Sequence, residues 1–265
     1  MKKVFIARTL AFCLLLTVLS PANLHGASEV PSRKVAIVID DLGNDMLGTE
    51  EILNLDIPIT VAIMPFLPTT KRDAKWAKEK GHDVFVHLPM EPNRGKKSWL
   101  GPGAITTDLS DEEIRNRVHA AIDDVPHAIG MNNHMGSKVT AEPRVMRIVL
   151  EVCKERNLIY LDSKTTHKSV IPELAKEIGV PVIENHIFLD DIYQVSHISK
   201  QFRILLKHIQ HHPECIAIGH VGPPGKKTAA LLKENIPIIQ KEAEFVLASD
   251  FVIPQPPLLN MSGGK

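Results

Sequence analysis

Two adjacent aspartates, Asp40 and Asp41, end an apolar run at residues 35–39. Carboxylates at a buried strand end are costly to ionise together unless a cation or hydrogen bonds offset their repulsion. Neighbours on a strand point to opposite faces, so one can hold a metal ion while the other reaches a different atom nearby. An N-cap for a helix after Gly43 would need only one of them. His87 ends a second apolar run, and Glu91 follows four residues later. That spacing lets both face one ligand if the chain turns helically after Pro89. The stretch Asn132-Asn133-His134-Met135-Gly136-Ser137 carries more polar groups than a core buries without partners, and suits a site or a surface loop. His220 closes a further apolar run, where a satisfied core histidine would also fit, and Val221-Gly222-Pro223-Pro224 after it forbids regular structure. Together, carboxylate oxygens, imidazoles and Asn amides suit a zinc-like divalent ion with coordination positions left open.

Such residues need elements that bring them together. Apolar runs of strand length recur at residues 35–39, 57–64, 84–86, 158–161, 181–183 and 216–218, with a weaker one at 128–131. Amphipathic helical patterns lie between them, at 71–80, 114–125, 143–156, 171–178, 199–211 and 226–234, the second opened by a Ser110/Glu113 capping box. Strands apolar on both faces, alternating with helices, predict an α/β fold built on a parallel sheet. From His134 to Asp162 is 28 residues, from Asp162 to Asp190 another 28, and from there to His220 is 30, close to one βα unit each. A barrel of about seven parallel strands would gather these residues on one face, whereas an open sheet would spread them along a line. Asp40-Asp41-Leu42-Gly43 also lacks the spacing of a glycine-rich phosphate turn.

The 265 residues carry 31 basic and 31 acidic side chains, a balance that offers no cationic excess for nucleic acid. Lys2, Lys3 and Arg8 precede the apolar residues 10–19, and Gly26 and Ala27 follow, which reads as a secretory signal cleaved near Ala27. Its apolar run is too short to span a bilayer, and no later run approaches that length, so no transmembrane anchor is expected after cleavage. The expected organisation is a signal peptide at 1–27, one barrel domain at 28–253 and a flexible Pro- and Gly-containing tail at 254–265, in a secreted or periplasmic protein. Cys153 and Cys215 would then occupy a compartment where a disulfide persists, but spacing leaves their pairing open.

Several of these segments resemble the divergent polysaccharide deacetylases: Val38-Ile39-Asp40-Asp41-Leu42-Gly43, the run from Gly81 through His87 and Glu91 to Pro92, Gly101-Pro102-Gly103-Ala104, residues 132–137, Leu161-Asp162-Ser163, Phe188-Leu189-Asp190-Asp191 and Ile218-Gly219-His220. The match runs from about residue 34 to 251. The resemblance implies a distorted βα barrel and metal-dependent hydrolysis of an N-acetyl group. It makes Asp40 the base, Asp41 and His87 metal ligands, and His220 the general acid. In the wider superfamily a second histidine stands where this chain has Glu91, so either Glu91 or His134 completes the site. The arginine-proline motif of that superfamily is replaced here by residues 132–137. Asn132, Asn133 or backbone N–H groups would stabilise the oxyanion, and Asp162 would orient His220 or a metal ligand.

The substrate that the resemblance implies is an N-acetylated cell-envelope glycan. Aromatic residues are only 5% of the chain, and Trp99 is the one placed to act as a sugar platform. The alternative is a barrel without catalysis that binds glycan or protein, favoured by Glu91 and the few aromatics. A metal-dependent phosphoesterase would want more cationic clamps than these loops supply.

Overall fold

The computed structural model describes residues 33–252, so the expected leader and the tail lie outside the described residues. The first strand, β1 (Lys34–Leu42), is apolar on both faces because both faces are covered. Val35, Ile37 and Ile39 pack outward among the helices, while Ala36 and Val38 pack inward with Phe85, Leu161, Ile216 and Ile218. The same alternation runs through β2 (Thr60–Ile63), β3 (Asp83–Met90), β4 (Ala128–Met135), β5 (Ile159–Asp162), β6 (Val182–Glu184), β7 (Ile187–Phe188) and β8 (Glu214–His220).

These strands form one parallel sheet in the order β6-β5-β4-β3-β2-β1-β8-β7, with β9 (Glu244–Phe245) paired to the start of β1. The two ends of that path are consecutive in sequence. Asn185 and His186 step across the seam, the Asn185 N–H donating to Asp162 O at 2.9 Å and the His186 N–H to Ile216 O at 3.0 Å, which closes a distorted barrel. The expected count of about seven strands is exceeded because β7 and β9 have two residues each, too few to leave a periodic signal.

Among the described residues, seven helices surround the sheet: α1 (Thr49–Leu53), α2 (Thr70–Glu79), α3 (Asp111–Asp124), α4 (Pro143–Glu155), α5 (Ile171–Ile178), α6 (Val195–His211) and α7 (Gly225–Ile239). The Ser110 hydroxyl caps α3 by accepting from the Glu113 N–H at 3.2 Å. The reciprocal half of the expected box is absent, since the Glu113 carboxylate pairs with Arg117 one turn on. At the floor of the barrel the turn Ala248–Phe251 seals the strand N-termini, its Ala248 N–H donating to Thr60 Oγ1 at 2.9 Å and its Ser249 N–H to Asp83 Oδ2 at 3.1 Å. Residues 33 and 252 therefore both lie at the floor, opposite the mouth formed by the strand C-termini.

Inward positions one step beyond the apolar interior fall at that mouth. Asp40 follows Ala36 and Val38, His87 follows Phe85, and His220 follows Ile216 and Ile218. Phe85 fills the interior against Gly130, where a Cβ would come 2.5 Å from the ring. Gly130→Ala is therefore expected to destabilise the protein by about 1–3 kcal/mol in denaturant titration. Phe85→Leu in the same chain should recover part of that loss, whereas equal losses in both backgrounds would show that the ring is not what fills the space.

Candidate metal centre

The Asp40-Asp41 pair reaches the mouth through a break in the strand. The β1–β2 register shifts between Ile39 and Leu42, and Asp41 adopts φ 70°, a left-handed conformation that aspartate tolerates better than bulkier residues. This bulge turns Asp41 toward the same mouth as Asp40, which simple alternation would forbid.

Three donor atoms converge there. Asp41 Oδ1 lies 3.2 Å from His87 Nε2 and 2.9 Å from His134 Nδ1, and the two nitrogens are 3.2 Å apart. Adjacent ligands of a tetrahedral ion with bonds of about 2.0–2.1 Å stand about 3.3 Å apart, so the triangle has the size of a zinc-type face. The tautomers fit as well. Asn132 Nδ2 donates to Asp40 Oδ1 at 2.9 Å, which leaves Asn132 Oδ1 to accept from His87 Nδ1 at 2.6 Å. The Trp99 carbonyl accepts from His134 Nε2 at 3.1 Å. Each outer nitrogen thus carries its proton, and both inner nitrogens turn a lone pair toward Asp41, whose buried Oδ1 receives no well-directed hydrogen bond. The residues fit a divalent cation.

Without that cation the mouth balances charge with protons. Burial raises Asp40, and the nearby His87 and His220 only partly oppose it. At Asp41 burial is outweighed by the facing His134 and His87, which hold the carboxyl well below its usual range. His87 is raised, the attraction of Asp40 and Asp41 exceeding the cost of burying its charge.

His220 stands beside Asp40 in the β1–β8 ladder. Its Nδ1 donates to Asp190 Oδ1 at 2.7 Å, and its backbone N–H donates to Asp190 Oδ2 at 2.8 Å. Thr228 Oγ1 donates to Asp190 Oδ2 at 2.6 Å, so this fully buried carboxylate is completely engaged. Burial would lower His220, but Asp190, with Asp41 and Asp40 beyond it, pushes it up to about 9. Phe188 stacks along the imidazole at an interplanar angle of 17°.

The other expected residues are placed differently. Glu91 is outside the cluster: its Oε2 accepts from the Thr107 N–H and Oγ1, each at 3.0 Å, and its Oε1 pairs with Lys138 at 2.9 Å. It ties two mouth loops together instead of facing His87. Asp162 does not reach His220. Leu161 points into the barrel, so Asp162 points out, where its Oδ1 accepts from the Lys164 N–H at 2.8 Å and burial raises it. The orienting carboxylate is Asp190, which the 28- and 30-residue spacing had placed at a strand end without a role. Asn132 holds Asp40 through one side-chain N–H and His87 through its carbonyl oxygen, so it positions both groups. Asn133 donates to Met135 O at 2.7 Å and accepts from the Ser163 N–H at 3.3 Å, bracing the loop after β5. Trp99 lines the mouth with its ring exposed, and Tyr193, which composition did not single out, lines it too. The cavity holds about 600 Å³ and includes Asp40, Asp41, His87, His134 and His220 in its wall. Cys153 and Cys215 are both free and buried, and burial pushes each thiol up to about 12.

Comparison with known proteins identifies the family and the fold. A profile of the divergent polysaccharide deacetylase family matches residues 37–252. The chain is 35% identical over 223 residues to an uncharacterized protein of Haemophilus influenzae, spanning 84% of this chain and 78% of that one. Its fold is similar to an uncharacterized protein from Agrobacterium tumefaciens, with TM-score 0.77 at 21% identity over 85% of this chain and 91% of that one. It is also similar to Bacillus subtilis PdaA, a family 4 carbohydrate esterase, with TM-score 0.50 at 12% identity over 82% and 80% of the two chains.

Calorimetric titration with Zn²⁺ should give about one equivalent for the wild type and for Glu91→Gln, and no tight binding for Asp41→Ala or His134→Ala. Loss of binding in Glu91→Gln with retention in His134→Ala would reverse the ligand assignment. A second outcome concerns His220 in the metal-free protein. Because its folded pKa is raised to about 9 from 6.5, the ion pair with Asp190 stabilises fully below about 6.5 and fades as pH rises through 9. Imidazole NMR should place its titration near the upper value, and Asp190→Asn should lower that midpoint and flatten the alkaline loss of stability.

Proposed function

Because the chain belongs to the divergent polysaccharide deacetylase family, we propose that it is an extracytoplasmic hydrolase that removes acetyl or related acyl groups from the nitrogens of an envelope glycan. The observation that carries this reading is the flanking of a tautomer-fixed ligand trio by a base and an acid on neighbouring strands. Export is supported by the charged and apolar pattern of residues 1–27, and zinc by the two-imidazole, one-carboxylate donor set.

A divalent ion held by Asp41, His87 and His134 would supply Lewis acidity toward water and the amide carbonyl. Asp40 is placed to take the proton from the attacking water. Its burial makes it a stronger base than a solvated carboxylate, and Asn132 fixes its direction. His220, kept protonated at neutral pH by Asp190, is placed to give a proton to the departing nitrogen as the carbon–nitrogen bond breaks. The products are a free amine and a carboxylate, and proton exchange with solvent resets both groups. Trp99 and Tyr193 offer ring faces on the cavity wall for a sugar. Of the two supports for the non-catalytic alternative, the Glu91 one weakens, since Glu91 braces loops, and the low aromatic content stands.

Acetate release from N-acetylated oligosaccharides tests the reading. Asp40→Asn should bind metal like the wild type while turnover falls by about 10²–10⁴-fold. A wild type that holds its metal yet releases no acyl group from any N-acylated glycan would refute it.

A further inference from the structure

The mouth is rimmed by exposed apolar side chains, of which only Trp99 and Tyr193 also face the cavity. Phe66 after β2, Trp99 after β3 and Ile192, Tyr193 and Val195 after β7 expose 40%, 58%, 48%, 52% and 52% of their surface. They come from three separate loops on one end of the barrel, and Trp99 and Tyr193 meet the same cavity. Phe66 holds φ 62°, a conformation disfavoured for a bulky residue, with its ring propped against Gly103, where a Cβ would approach it to 2.6 Å.

The same rim carries unpaired cations. Arg94, Lys96 and Lys168 are exposed and, among the described residues, have no acidic partner, and Lys96 Nζ sits 5.7 Å from the Trp99 ring. Among the nearby acids, Asp191 Oδ1 lies 2.7 Å from His197 Nε2 and Asp45 pairs with Arg72 at 2.6 Å. Outward aromatic and aliphatic side chains beside unpaired cations are what an anionic lipid surface binds, the apolar groups entering the headgroup layer and the cations meeting lipid phosphates. A soluble anionic polymer would use the cations but gain nothing from Ile192 or Val195.

We propose that the mouth face docks on an anionic lipid bilayer. On the hydrolase reading above, the docked mouth faces glycan carried on lipid, so the substrate class becomes a lipid-attached N-acylated glycan. The docking itself does not rest on that reading.

The test is co-sedimentation of the exported chain with vesicles of phosphatidylglycerol and phosphatidylcholine, beside vesicles of phosphatidylcholine alone and a soluble polyanion. All variants are compared at the same N-terminus, checked by intact mass. Wild type should bind the anionic vesicles, and salt should weaken that binding. The pair Ile192→Ser/Val195→Ser and the pair Arg94→Glu/Lys96→Glu should each lose more than about tenfold in partitioning, with Zn²⁺ binding unchanged as the control for folding. Equal partitioning of wild type and both pairs overturns the proposal, as does absence of vesicle binding. Capture by the polyanion without vesicle binding also overturns it, in favour of a polymer partner. Acyl release on soluble substrate, measured separately, reports on the hydrolase reading alone.

Discussion

Asp40, Asp41 and Asp190 are clustered with His87, His134 and His220 at one end of a hydrophobic barrel, and this concentration of buried charge is tolerable only while every member is paired. Asn132 is the joint of that arrangement. One amide group gives its hydrogen to Asp40 and takes one from His87, so the orientation of the base and the tautomer of a ligand are set by the same side chain. Replacing it with an apolar residue of equal size would leave two buried groups unsatisfied at once. Asp190 plays the equivalent part on the opposite strand, with three donors converging on its two oxygens.

The barrel converts these local pairings into a site. Inward positions of the parallel strands end together, so a carboxylate from β1, an imidazole from β3, an amide from β4 and an imidazole from β8 meet although they are far apart in sequence. The register pairs His87 directly with Asn132 and Asp40 with His220. The exception is Asp41, which depends on a bulge and a left-handed residue to join the same mouth. Without that irregularity the two adjacent aspartates would serve opposite faces of the sheet.

Much of this was legible beforehand because strand ends are marked by an abrupt change from apolar to polar residues. Asp40, His87 and His220 stand at such changes, and their one-per-βα-unit spacing pointed to a closed barrel. The choice between His134 and Glu91 was not legible. It depends on β4 continuing to Met135, through a polar stretch whose side chains are satisfied by partners on other strands. Asp162 stands at the same kind of change, but the facing of its strand is set by the fold: Leu161 packs inside the barrel, which puts Asp162 on the outer face. Asp190 could be placed but not given a function, because its partners Thr228 and His220 are distant in sequence. The short strands β7 and β9 have no periodicity to detect, yet β7 brings Phe188 against His220.

Both termini of the described chain leave from the barrel floor, beside the Ala248–Phe251 turn, with the whole length of the strands between them and the cavity. For anyone attaching residues 33–252 to a bead, a sensor surface or a fusion partner, residues 33 and 252 are handles that point away from the working face. Circular permutation of that span has the same logic: new ends cut into the mouth loops would disturb the ligand-bearing segments, whereas a linker joining residues 33 and 252 would cross only the floor.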